Sequence, residues 1–397
     1  MFNVGHLYTI LYSSLLKNNY NQGLTLKKFG IRNSFDDIIP VPETPAFYLE
    51  QVYFYDQEPL GFSTKIAQSM YDVARRQQQG RFDLHYNIWA TSEYNNPLLD
   101  AFCKQNNLVK WYYFYHAFAS LDWLRSVQFL PKVNIYEGAT YISLNNLCEG
   151  PRVYRPLFVA KLYDKGLMGD GIVSYRTDGY KTNNFLNQDQ RKLIDRIQGR
   201  SFRIQKNHYQ SDNASAELEY DLWTSAFWHV VSETCYYEKT NHLTEKIFKP
   251  IASRQPFILL GSAGSLQYLK KYGFQTFSDY IDESYDLEQD PEKRMDMVVE
   301  QIKRLTSLTS SQLKSMYDRM LPILEHNFKH FYNTLYDVCW QELVDNYNTV
   351  TDFLDNNQKL YPRHEKITQL DAEYLSYKNT RGRLAKLISQ KCVFPRD

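Results

Sequence analysis

Residues 231–273 read VSETCYYEKTNHLTEKIFKPIASRQPFILLGSAGSLQYLKKYG. The apolar run Ala226–Ser232 leads into it and has the character of a buried strand. That strand delivers Ser232, Glu233 and Thr234 to its carboxyl end. A polar loop follows, and Thr244-Glu245-Lys246 opens a helix with Thr244 in the capping position. Residues 256–261 (PFILLG) form a second apolar strand. Residues 265–273 form a second helix, which Gly273 ends as the residue just past the cap. Strand, helix, strand, helix in this order predicts a parallel sheet covered by helices. Ligands of such sheets sit at the carboxyl ends of the strands.

Working outward, the same alternation recurs. Residues 139–145 (ATYISLN) read as a strand, followed by a short loop, a helix over 156–165 and a strand at 172–175. Toward the amino terminus, AFYLEQVYFYDQEP at 46–59 reads as a strand that ends in an acidic loop closed by Pro59. Helical spacing covers 63–76, a short strand 87–92, a helix 96–106, and the aromatic run VKWYYFYH at 109–116 reads as a third strand. These series predict an α/β fold of two Rossmann-like domains, 1–135 and 136–345. Beyond residue 282 the pattern turns helical. Thr309 and Gln312 have capping-box spacing at the start of a helix through Met320, and a further helix covers 328–347. Residues 346–397 are expected to form a helical C-terminal extension.

The chemistry concentrates at the helix that begins with Thr244. Free N–H groups and the positive end of the helix dipole favour phosphate there. Lys246 and Lys249 add cationic charge, and the Glu245 carboxylate suits the paired hydroxyls of a ribose. The same residues also suit a plain capped helix with Glu in its first turn and solvated lysines. Arg152 and Arg155 follow the strand at 139–145, where a guanidinium can grip a diphosphate in a bidentate manner. Two surface arginines are the other reading of that pair.

Three segments in order resemble the α1,3-fucosyltransferase-like glycosyltransferases: Val231-Ser-Glu-Thr234, His242-Leu-Thr-Glu-Lys246 and Pro256-Phe-Ile-Leu-Leu-Gly261. Ile142-Ser-Leu-Asn145, with Arg152 and Arg155 after it, is similar to the strand and arginine loop that open the same domain in that family. The resemblance implies a GT-B fold, two Rossmann-like domains facing a cleft. It also implies inverting transfer of a sugar, with a GDP-fucose-like donor, to an acceptor hydroxyl. It assigns Glu245 to the ribose and Lys246 to the diphosphate. Asn145, Arg152, Arg155, Ser232, Glu233, Thr234, His242, Thr244 and Lys249 join them as donor-binding candidates. His242 stands where the family usually has Tyr, and Ser232-Glu233-Thr234 only approximates its Glu-Asn-Ser. No Asp-x-Asp motif occurs at a strand end, so the expectation is a nucleotide-sugar co-substrate and no obligatory metal or other cofactor.

Sugar transfer needs a base for the acceptor hydroxyl. By analogy with the family this is a carboxylate on the N-terminal domain, with Asp56 and Glu58 as candidates and His116 as the alternative. The acceptor is expected to be a glycan or a hydroxymethylated DNA base. The second option follows from a similarity of YDQEP and YFYHAFASLDW to proteins of large tailed phages. A non-catalytic nucleotide-sugar or glycan binder is the rival from another class. The net charge of +1 excludes a global basic field for gripping nucleic acid. Local clusters at Lys206/His208 and at Lys378, Arg381, Arg383 and Lys386 leave room for a phosphate backbone. The 33 Tyr residues suit stacking on bases and sugars, and also fit an AT-biased genome. Five scattered cysteines without CxxC spacing argue for reduced thiols. With no signal peptide and no run of ~20 apolar residues, the expectation is a protein without a membrane span, in a bacterial or phage-infected cytoplasm.

Overall fold

The computed structural model describes residues 25–28, 51–55, 85–105, 109–132, 135, 137–176, 180–199, 218 and 220–356. The chain divides into two compact units. The described residues up to Asp122 and from Cys339 onward form the first, and Trp123–Val338 form the second. Among the described residues, no helix is long and apolar enough to cross a membrane.

The first unit holds a parallel sheet of β1 (Thr25–Lys28), β2 (Gln51–Tyr55), β3 (His85–Thr91) and β4 (Val109–Tyr112), in spatial order 1-2-3-4. Helix α1 (Pro97–Gln105) joins β3 to β4, and α2 (Tyr115–Trp123) follows β4. The aromatic run 109–116 is therefore not one strand. β4 stops at Tyr112, and His116 lies in the first turn of α2. The reason is burial: every residue of α2 from Tyr115 to Asp122 is buried, and a short apolar run suits a core helix as well as a strand. The last helix (Leu335–Asn356) also belongs here from Cys339 onward. Trp111 donates its indole N–H to the Leu343 carbonyl at 3.2 Å, and Phe118 meets Trp340 edge to face.

The second unit holds β5 (Ala139–Leu144), β6 (Gly171–Ser174), β7 (Ala226–Ser232) and β8 (Phe257–Leu260), all parallel, in order 6-5-7-8. Its helices are α3 (Tyr154–Asp164), α4 (Gln188–Asp195), the single turn α5 (Tyr220–Trp223), α6 (Glu245–Ala252), α7 (Ser265–Lys271), α8 (Pro291–Thr306) and α9 (Ser310–Asn333). Each residue of β7 is buried, as a central strand covered on both faces requires. Each unit by itself is thus of the Rossmann-like type expected.

Several local expectations hold. Thr244 caps α6, Gly273 lies past the end of α7 at φ +89°, and Thr309 and Gln312 form a reciprocal capping box. One does not: α9 runs unbroken past Met320 and through Pro322, and α10 (Leu335–Asn356) follows it. An interior proline costs ~3 kcal/mol. The buried face of α9 continues on both sides of it, from Leu313, Met316, Tyr317 and Met320 to Leu324, Phe328 and Phe331, and packing outweighs that cost.

Candidate functional site

Strand order locates the site. β5 comes first in sequence, β6 pairs on one of its edges, and the chain then crosses to β7 on the other. The direction of winding reverses between β5 and β7, and in open α/β sheets ligands bind at the carboxyl ends flanking such a reversal. β5 and β7 pair up to Ile142 opposite His229; Asn145 follows the end of β5, and Ser232 is the last residue of β7. Both side chains are buried. The Asn145 amide N–H groups are engaged, with Ser143 Oγ at 3.0 Å and the Ser174 carbonyl at 3.2 Å. Its Oδ1 and the Ser232 hydroxyl have no partner. Two buried polar atoms left unsatisfied at the carboxyl ends of neighbouring strands would cost a few kcal/mol with nothing to bind them, a pattern that suits a ligand-binding position.

Glu233, fully buried, organises the start of α6. Its carboxylate accepts from Thr244 Oγ1 at 2.6 Å, Thr244 N at 3.2 Å and Thr234 N at 3.2 Å. Burial pushes its pKa up, against the Lys246 charge and the Thr244 hydrogen bonds, which pull it down. Glu233 thereby ties the strand end to the helix cap. Lys246 is the accessible cation, with its side chain 31% exposed. Its ammonium reaches Glu245 at 2.9 Å, Thr244 Oγ1 at 3.1 Å and Thr234 Oγ1 at 3.4 Å. Glu245 itself is buried, as is His242.

Two sequence expectations change. Arg155 does not present its guanidinium outward. It is buried, and it donates to the carbonyls of Leu147 at 2.7 Å and of Ser232 and Glu233 at 3.0 Å each. Its neighbour Tyr154 adds a hydroxyl bond to the same Glu233 carbonyl, and burial pushes that phenol up to about 12. Arg155 thus latches the loop after β5 to the end of β7. Lys249 is buried, and its ammonium lies over the Trp223 ring at 5.9 Å. Trp223 precedes β7 and stacks on His229 within it, so this charge sits away from the helix start. Arg152 is partly exposed in the turn Gly150–Val153. Asp56 and Glu58 lie outside the described residues, as do the basic clusters at 206–208 and 378–386. His116 is buried against Tyr115, at 5.0 Å between ring centroids.

The sequence reading missed a second latch. Arg294 of α8 is buried and donates to the carbonyls of Gly261 at 3.1 Å, Glu288 at 2.6 Å and Tyr236 at 2.6 Å. It also missed Asp286, whose carboxylate takes the Leu266 and Gln267 N–H groups at 2.9 and 3.2 Å. The start of α7 is therefore filled from within. No local pattern could have found these two, because all their partners but Glu288 lie 19 to 58 residues away. Among the described residues no cluster of His, Cys, Asp or Glu has the form of a metal site.

No protein-family model matches the chain, and no curated protein matches it. Among solved structures, an α,α-trehalose 6-phosphate synthase from Burkholderia multivorans aligns at 11% identity and a TM-score of 0.35, over 77% of this chain and 67% of that one. A UDP-forming α,α-trehalose-phosphate synthase from Burkholderia vietnamiensis aligns at 10% identity and a TM-score of 0.35, over 74% and 69%. The trehalose-6-phosphate synthase OtsA aligns at 11% identity and a TM-score of 0.36, over 74% and 67%. The fold assignment made above rests on the two parallel sheets themselves.

Proposed function

We propose that this protein is a glycosyltransferase of the GT-B type that binds a nucleoside diphosphate sugar at the carboxyl ends of β5 and β7. The observation that carries the reading is the two buried oxygens without a partner, Asn145 Oδ1 and Ser232 Oγ, at the carboxyl ends of β5 and β7, together with the part-exposed Lys246 ammonium, which reaches Thr234 just past β7. An acceptor oxygen and a hydroxyl suit the hydroxyl and amide groups of a sugar or nucleoside. The Lys246 charge suits a diphosphate. In the unliganded site Lys246 and Glu245 neutralise each other. On binding, the ammonium turns to the diphosphate and stabilises the charge that develops on it as the sugar leaves. The released Glu245 carboxylate accepts the ribose hydroxyls. Arg155 holds the strand end in place, and Arg152 is left as the arginine nearer solvent.

The finer reading, a fucosyltransferase-like inverting enzyme with a GDP-fucose-like donor, rests on the motif resemblance. In it the acceptor base comes from the first unit, as Asp56 or Glu58. The acceptor is a hydroxyl, either on a glycan or on a hydroxymethylated pyrimidine of DNA.

The test is release of nucleoside diphosphate from a panel of nucleotide sugars, with a glycan set and hydroxymethylated DNA as alternative acceptors. Turnover with one donor is expected, and the acceptor that supports it separates the two readings. Lys246→Ala removes a charged hydrogen bond and should weaken the nucleoside diphosphate roughly 10- to 100-fold. Binding without turnover for every acceptor would favour a non-catalytic binder. Undiminished binding in Lys246→Ala would remove Lys246 from the site.

A further inference from the structure

The Glu233 carboxylate stands fully buried just past the end of β7, and its contacts are closely specified. Of its roughly four lone-pair positions, three are filled. Oε2 accepts from the Thr244 hydroxyl at 2.6 Å and the Thr234 N–H at 3.2 Å, and Oε1 from the Thr244 N–H at 3.2 Å. The Thr244 hydroxyl is as fully committed. It gives its single proton to Glu233, so its lone pairs serve as acceptors. They take the Lys246 ammonium at 3.1 Å and the Lys246 N–H at 3.4 Å. The direction in which Thr244 faces Lys246, as an acceptor, is therefore set by the charge on Glu233.

The charged groups around Glu233 come from several elements. From α6 the Lys246 ammonium favours its ionised form, and the Glu245 carboxylate opposes it. From α3, Arg155 and Tyr154 reach its main-chain carbonyl rather than its carboxylate. Arg294 of α8 is engaged on the carbonyls of Gly261, Glu288 and Tyr236, and Glu238 on the Tyr236 N–H at 2.9 Å. His242 is buried two residues ahead of the cap. β8 takes the Glu233 N–H on its Leu260 carbonyl at 3.0 Å and then presents Gly261, where an added Cβ would stand 3.5 Å from Glu233 Cβ. Burial pushes the Glu233 pKa up, and Lys246 is the charge that pulls it back. When the ammonium turns to the diphosphate, this buried carboxylate loses its counter-charge as an anion arrives. Both changes favour its neutral form.

We infer that donor binding brings a proton onto Glu233 and so turns the Thr244 hydroxyl from an acceptor for Lys246 into a donor to the bound diphosphate. Solvent supplies the proton, an O–H bond forms at Glu233 Oε2, and no electrons are transferred. The new O–H donates to Thr244 Oγ1, so the contact between the two side chains is kept with its direction reversed. The Thr244 proton swings into the direction that the ammonium has left. Glu233 is thus a positioning residue that acts on the ligand through Thr244. This rests on the nucleotide-sugar reading of the same site and adds to it the proton that accompanies the donor. Because the bound form holds that extra proton, affinity rises as pH falls, by up to about tenfold per pH unit.

The experiment is calorimetric titration of the full chain with GDP-fucose and, in parallel, UDP-glucose. Their diphosphates are esterified at both ends and do not titrate near neutral pH. Repeating each titration in PIPES, HEPES and Tris, which differ in ionisation enthalpy, counts the protons exchanged. Wild type should take up about one proton with the donor it binds, and its affinity should fall as pH is raised. Glu233→Gln, whose carboxamide can donate to Thr244 as the protonated acid does, should take up none and hold a flat affinity across the same pH range. Glu245→Gln should bind more weakly, without its ribose contacts, and still take up the proton. Binding by wild type with no proton exchanged overturns the coupling and leaves the donor site standing, whatever the variants do. Uptake that persists in Glu233→Gln places the proton elsewhere and overturns the assignment. If wild type binds neither nucleotide sugar, the underlying reading fails and the coupling with it.

Discussion

The two units have the same ingredients and use them differently. In the first, the described strands run 1-2-3-4 in space, and the polar residues at the end of β3 serve their own neighbourhood. Glu93 N–H donates to Thr91 Oγ1 at 3.1 Å, and Asn96 Nδ2 to Glu93 Oε2 at 2.6 Å. Asn96 in turn caps α1 through the N–H groups of Leu98 and Leu99. In the second unit the order is 6-5-7-8, and the strand ends are held by residues 33 to 79 positions away. Tyr154 and Arg155 clamp the end of β7, and Arg294 clamps the end of β8. A distant tyrosine hydroxyl and guanidinium groups do the holding, and Asn145 and Ser232 each keep an oxygen without a partner. A reversed strand order opens the position, and long-range latches keep it open.

The sharpest way to break this comparison separates transfer chemistry from donor binding. If the first unit supplies the base and the second the donor site, Asp56→Asn with Glu58→Gln should cut turnover ~10²- to 10⁴-fold, the usual contribution of a general base. Nucleoside diphosphate affinity should stay as in wild type. Steady-state rates and calorimetry on the same preparations check this. Normal turnover in both variants moves the base elsewhere, and His116 is next. A parallel loss of donor affinity would undo the division of labour between the units.

The latches come next in size. Arg155→Met keeps bulk and leaves the carbonyls of Leu147 and Ser232 without their donor, while Glu233 keeps only the Tyr154 hydroxyl. Leaving a buried carbonyl unsatisfied costs ~1–3 kcal/mol. Denaturant melts should show that loss, and Glu93→Gln in the first unit, whose bond to Asn96 a carboxamide oxygen still accepts, should show far less. Equal losses would mean that the two strand ends are built alike.

The smallest effect at neutral pH, and the clearest in acid, belongs to His229. Burial holds its pKa down, to about 3 from an unfolded value of 6.5, against the Trp223 carbonyl bond that pulls it up. Between those two values the unfolded chain binds more protons than the folded one, so stability falls as pH falls, by up to ~1.4 kcal/mol per pH unit. The contribution is complete above pH 6.5 and disappears as pH drops toward 3. Melting temperatures of wild type and His229→Gln should therefore converge from pH 7 down to pH 4, with wild type the steeper. Parallel curves would show that this buried ring does not titrate on unfolding.

Much of the second unit was legible from residues 226–273. The β7-α6-β8-α7 succession, the Thr244 cap and the Gly273 terminus all follow from apolar period and capping chemistry, which act over about four residues. The capping box at Thr309 is of the same kind. The misreadings share one cause. The aromatic run at 109–116 suits a strand or a buried helix, and only its neighbours decide. The helix expected to end at Met320 runs on because the apolar face on both sides of Pro322 packs. For Arg155 and Lys249 the charge is visible in the sequence and the burial is not.

The sequence by itself determined the β7-α6-β8-α7 succession, where its helices are capped, and that Thr244, Glu245 and Lys246 stand together at the start of α6. Those features depend on neighbours a few residues apart. Only the tertiary structure decided the order of the strands, hence where the winding reverses, and which polar atoms near that point are already engaged. The physical reason is distance along the chain. The donors that occupy the carbonyls of Ser232, Glu233 and Gly261 come from Tyr154, Arg155 and Arg294, and no local periodicity encodes who reaches them first.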